Sequence, residues 1–272
     1  MNLKEFEQST GHAASKEPMP VLFVGHGSPM NALEENEFSA GWRSAGESIP
    51  QPRAILCISA HWETKGTLVT AMPQPRTIHD FCGFPEQLYK IQYPAPGSPQ
   101  VAFETRDHLS PAWVELDQNW GLDHGCWSVL IHMFPGATIP VLQLSLDHTL
   151  SPAAHYDLAK RLGGLRRKGI LVMGSGNIVH NLRTIDWQNP DGGRDWAEEA
   201  NEKLKKLIMS HDHKKLEDYT TLGREVQLSV PTAEHYLPLL YALAMQEDKE
   251  SVTLFNDKVV YGSISMTSIK IN

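Results

Sequence analysis

Apolar residues along this chain fall in short unbroken blocks separated by longer mixed segments. Residues 21–24 (VLFV), 53–60 (RAILCISA), 140–146 (PVLQLSL) and 170–179 (ILVMGSGNIV) are too brief for ordinary helices, and they lack the polar alternation of a half-exposed strand. Such runs suit strands covered on both faces. Ser98-Pro99 and Ser151-Pro152 each join an N-cap to proline at the first helical position, which predicts helices reaching about Leu109 and Arg167. Further helices are predicted over 30–46, 127–134, 196–209, 214–219 and 231–245, the last with Thr232 as N-cap and His235 in its first turn. Shorter strands are predicted at 67–71, 113–116, 253–255 and 262–271. Strands and helices in alternation predict an α/β fold, a single domain whose central mostly parallel or mixed sheet is flanked by helices.

The chemistry collects at the ends of these strands. The first run breaks at Gly25-His26-Gly27-Ser28-Pro29, the second enters His61-Trp62, and the fourth ends at His180-Asn181. The carboxyl ends of strands are where open α/β sheets bind ligands. Three strands that each deliver a histidine there point to a shared metal site, because imidazole is the commonest transition-metal ligand and one ion needs several. Two other segments carry histidine beside an acid: His79-Asp80, within an aromatic stretch that suits a substrate wall, and Asp123-His124-Gly125, which reads as a glycine-flanked loop.

At 272 residues the chain can bury one sizeable core, and the expected organisation is a leader over 1–18 followed by one catalytic domain over 19–272. Its 41% hydrophobic and 21% charged residues exclude a disordered or fibrous class. A net charge of −8 argues against nucleic acid or an anionic membrane as partner. Three scattered cysteines, Cys57, Cys82 and Cys126, make no disulfide framework and no Cys-x-x-Cys pair, so a reducing cytoplasm is expected. There is neither a membrane-length apolar run nor a signal-peptide core. The expected state is a monomer or small homo-oligomer.

Seven stretches, in order and spanning nearly the whole chain, resemble the class III extradiol ring-cleaving dioxygenases, most closely the 4,5-DOPA dioxygenase branch. They are GHGSPMN at 25–31, SAHW at 59–62, TIHDFCGFP at 77–85, YPAPGSP at 93–99, GLDHG at 121–125, SGNIVHNLR at 175–183 and PTAEHYLPLLY at 231–241. The resemblance implies a non-haem Fe(II) centre, dioxygen as cosubstrate and a DOPA-like catechol whose ring opens to a semialdehyde. It implies His26, His61 and His235 as metal ligands, with His180 entered both as a fourth ligand and as the acid–base group, and His124 as second choice for proton transfer. On a helix, neighbouring Glu234 and His235 would point about 100° apart and could not share one ion, so His235 is taken as ligand and Glu234 as a helix cap. Substrate contacts are expected from His79, Asp80 and Trp62, with Phe81 beside them. An all-histidine set also suits Zn(II). The alternatives are therefore a zinc-dependent hydrolase using the same cluster and a non-catalytic metal-binding protein; a tetrapyrrole chelatase fits less well, because SAHW and PTAEHY are foreign to it.

Overall fold

A computed structural model describes residues 17–272 of the chain; the expected leader lies, up to residue 16, outside the described residues. Among the described residues ten strands form: β1 (Val21–Gly25), β2 (Ala54–Thr64), β3 (Thr67–Thr70), β4 (Val114–Asp117), β5 (Val141–Asp147), β6 (Ile170–Gly176), β7 (Val252–Phe255), β8 (Val259–Val260), β9 (Ile264–Ser265) and β10 (Ser268–Ile271). Eight of them make one sheet in the order β4-β3-β5-β2-β6-β1-β10-β7, and β8 pairs with β9 in a small second sheet. The four central strands, β5, β2, β6 and β1, are parallel to one another, whereas β3 runs antiparallel to β5, β10 to β1 and β7 to β10. The sheet is thus mixed, with a parallel centre.

The main helices are α1 (Glu37–Glu47), α2 (Pro99–Leu109), α3 (His124–Met133), α4 (Pro152–Ala159), α5 (Asp195–Met209) and α6 (Leu237–Ala244). They explain why the central strands lack polar alternation. Val21, Phe23, Leu56 and Val172 pack into one core with α2, α4, α5 and α6. Their strand neighbours Leu22, Cys57 and Met173 pack into a second core with Trp42 of α1 and Trp127 of α3. Burial on both faces removes any position where a polar residue would be at home.

Several predicted boundaries move, each for a local reason. The helix predicted over 30–46 begins at Glu37, because Asn36 accepts from the N–H groups of Phe38 and Ser39 while the Ser39 hydroxyl bonds the Asn36 backbone, a reciprocal cap. The helix predicted over 151–167 divides into α4, a 3₁₀ turn at Lys160–Leu162 and a last turn at Gly163–Arg166. The predicted loop at His124 is a helix start, since the Asp123 side chain accepts from Cys126 N–H and so caps α3. The helix predicted from 231 starts only at Leu237. Pro238 has no N–H to give the Glu234 carbonyl, and the His235 carbonyl accepts instead from Asn177 N–H at 2.9 Å. Glu234 and His235 therefore sit in a turn, and Glu234 caps no helix. Among the described residues no helix is long and apolar enough to cross a membrane.

Candidate metal centre and substrate cavity

Five histidines meet at the carboxyl edge of the parallel strands. His26 follows β1; His61 lies within β2, which runs on past its predicted end, where the register with β5 slips between Ile58 and Glu63. His124 opens α3, His180 follows β6 by four residues, and His235 sits in the turn before α6. The turn approaches β6 so closely that a Cβ at Gly176 would lie 2.1 Å from the His235 carbonyl oxygen. Only glycine fits there.

Ring orientation follows from what each Nδ1 touches. The Ser175 hydroxyl donates its single proton to the Gly125 carbonyl at 2.5 Å, so at 3.0 Å from His26 it accepts, and His26 carries its proton on Nδ1. The His235 Nδ1 donates to the Glu234 carboxylate at 3.1 Å. The His61 Nδ1 lies 3.5 Å from the Asp80 carboxylate. Each of the three rings thereby turns Nε2 inward as a lone pair, the carboxylate-and-hydroxyl backing that metal-bound histidines ordinarily have.

The lone pairs face one another. His26 Nε2 and His61 Nε2 stand 3.1 Å apart with their protons committed elsewhere, so two acceptors meet with no donor between them. The separation is that of two nitrogens each about 2.1 Å from one ion at about a right angle. His26, His61 and His235 offer nitrogens that all lie within 4.8 Å of one another. The residues present thus fit a metal ion. His180 groups with Glu234 and His235 rather than with the central three, and its ring stacks on that of His235 at 3.5 Å and 11°.

Burial favours the neutral form of four of these rings. It pushes His61 down to about 3, helped by the neighbouring His124, and His180 down to about 4 against the opposing charge of Glu234. His26 and His235 lie well below the usual histidine range for the same reason, reinforced by the surrounding imidazoles. Neutral imidazole is the form a metal requires.

A cavity of about 540 Å³ opens from these rings. His26, His61, His124, His180 and His235 close its inner end, and Phe81, Phe84, Ile185, Trp187, Tyr261 and Met266 furnish much of its apolar wall. Of the residues expected to touch substrate, Phe81 lines the cavity and meets His124 edge-on at 5.5 Å. The structure places the other three elsewhere. Trp62 is buried and stacks on Trp120 at 5.4 Å, and His79 directs Nε2 to the Ile91 carbonyl at 3.0 Å. Asp80 lies behind the histidines: its carboxylate accepts from His124 N–H at 2.9 Å and His124 Nδ1 at 3.0 Å while facing His61. Although burial opposes it, the His124 hydrogen bonds hold the Asp80 carboxyl below its usual value, and one anion fixes two rings. Ser175 and the cavity wall from Ile185 to Tyr261 escaped sequence reasoning; the only local signal for Ser175 was its place at the end of a strand run.

Imidazoles that could hold a metal ion, grouped at the strand ends of an α/β sheet beside a largely apolar cavity, are the kind of site a metal-dependent enzyme offers an aromatic substrate. The chain belongs to the family described as the catalytic LigB subunit of aromatic ring-opening dioxygenase, which it matches over residues 12–270. It is 46% identical over 258 residues to the 4,5-DOPA dioxygenase extradiol of Escherichia coli K12, covering 93% of this chain and 94% of that one. It is 35% identical over 260 residues to the protein of the same name from Beta vulgaris, covering 91% of this chain and 96% of the relative. A solved structure of an uncharacterized protein from Escherichia coli K12 superposes with a TM-score of 0.83 at 41% identity, covering 93% of this chain and all of the other.

Proposed function

We propose that this protein is an extradiol dioxygenase that opens the ring of a DOPA-like catechol with dioxygen at an Fe(II) ion held by His26, His61 and His235. The observation that carries the reading is the convergence of three oxygen-backed Nε2 lone pairs at the closed end of an apolar cavity. Iron supplies electron exchange between ring and dioxygen, and a positive charge that offsets a catecholate. The names of the relatives support a catechol of the DOPA kind. Three free cysteines agree with a cytoplasmic location.

The chain's own residues supply the rest. Phe81 and the apolar wall hold the aromatic ring and exclude water. His180, neutral and with no protein hydrogen bond to its ring among those described, is free to take the second hydroxyl proton and to return it as the O–O bond breaks. His124 is the second proton carrier; its Nδ1 is held by Asp80 and its ring borders the cavity.

The test is anaerobic reconstitution with Fe(II), addition of a panel of catechols, and then admission of air. Oxygen uptake matched by a coloured ring-opened product is expected with Fe(II) and not with Zn(II), which has no redox chemistry. Equal cleavage with Zn(II) in iron-free buffer overturns the reading, and hydrolysis of esters or amides by the zinc form, without oxygen uptake, moves the assignment to a hydrolase.

A further inference from the structure

The charges around the cavity are unequal. The lining includes Glu34, Glu37 and Asp191, yet among the described residues no lysine or arginine lines it. Lys258, which pairs with two of these carboxylates, is already committed: its ammonium lies 2.7 Å from Glu37 and 3.2 Å from Asp191, tying the start of α1 to the loop before α5. Among the described residues the Glu34 carboxylate accepts only from the neutral amide of Asn36, at 3.2 Å. Three carboxylates against one ammonium leave a formal excess of two negative charges. The histidines close the inner end, so a catechol whose hydroxyls meet them must direct its ring substituent toward the mouth.

We infer that the cavity selects catechols whose substituent carries an ammonium group, through Glu34, Glu37 and Asp191, and disfavours those whose substituent is only a carboxylate. The inference rests on the ring-cleavage reading for the orientation of the catechol. An ammonium relieves the excess charge, as that of Lys258 does between the same two carboxylates. A carboxylate adds to it, and among the described residues no lysine or arginine lines the cavity to receive it. Because the mouth is exposed, the effect is moderate and falls with salt: charges there are screened over about 10 Å at 0.1 M.

The test compares dopamine, DOPA, 3,4-dihydroxyphenylpropionate and uncharged 4-methylcatechol on the iron-loaded protein. Two readouts are taken: kcat/KM in air, and equilibrium binding under nitrogen. In both, dopamine is expected to lead the propionate by about tenfold at low ionic strength, the scale of a few charge pairs in water. DOPA falls between them, and the gap shrinks in 0.5 M NaCl. Glu37→Gln with Asp191→Asn lowers the dopamine to 4-methylcatechol ratio several-fold, and Lys258→Gln raises it.

A propionate that binds as well as dopamine overturns the inference. So does a Lys258→Gln variant that loses DOPA selectively, since Lys258 would then be reading a carboxylate. Failure to cleave any of the four, 4-methylcatechol included, strikes the ring-cleavage reading instead, and the binding order under nitrogen still decides the selectivity.

Discussion

Two of the places where this protein encloses histidines differ in one respect. His180 at the cavity and His155 in α4 are both pushed down to about 4 by burial, each against a nearby carboxylate, Glu234 for the first and Asp147 for the second. His155 is fully enclosed; its Nδ1 meets the Tyr241 hydroxyl at 3.0 Å, and its Nε2 has no partner. Among the described residues no other imidazole packs against it. At the strand ends, by contrast, five rings gather, and the Nδ1 atoms of His26, His61 and His235 are backed by oxygen so that their Nε2 atoms converge. Burial and a lowered pKa are common to both places. Convergence is what separates a site from a packed histidine.

The largest expected effect tests the converging set. His235→Ala should reduce metal affinity well beyond the roughly 10 to 100-fold typical of losing a backing group, which is the range expected for Glu234→Gln. Metal titration of both variants checks this. The opposite order would make the carboxylate the ligand and the ring its support.

Next comes His180, whose ring stacks on that of the proposed ligand His235. His180→Gln should keep the fold and most of the iron, yet lose about 10² to 10⁴-fold in ring cleavage, because glutamine keeps bulk and hydrogen bonding but exchanges no proton near neutral pH. Iron content, catechol affinity and turnover are to be read on one preparation. Lost iron would return His180 to the ligand set, and undiminished turnover would transfer the proton role to His124.

The smallest effect belongs to the histidine outside the site. A histidine at about 4 when folded and about 6.5 when unfolded binds its proton more readily in the unfolded chain, so the stability it contributes is present above pH 6.5 and is lost as pH falls toward 4. His155→Gln should remove about 1.4 kcal/mol per pH unit from the acid slope of stability of the metal-free protein and leave kcat unchanged. Melting curves between pH 7 and 5, with turnover at pH 7, check both halves. A fall in kcat would mean that α4 reaches the site.

Sequence reading located the doubly covered strands, the Ser98 and Ser151 caps, and the arrival of histidines where strands end, because all three are set by contacts within a few residues. Continuous apolar runs report burial on two faces, and a serine before proline reports a cap. Tertiary structure decided the rest. Trp62, expected as a substrate contact, is buried and stacks on Trp120, distant in sequence. Asp80 became the anchor of His61 and His124, and Ser175 the anchor of His26, through pairings 19 to 149 residues apart in the chain. Glu234 came to back His235 because Asn177 takes the carbonyl of His235 and Pro238 cannot serve that of Glu234. Local pattern fixes which residues a strand end presents. Which nitrogen a ring turns inward depends on the oxygen behind it, and only folding brings that oxygen into reach.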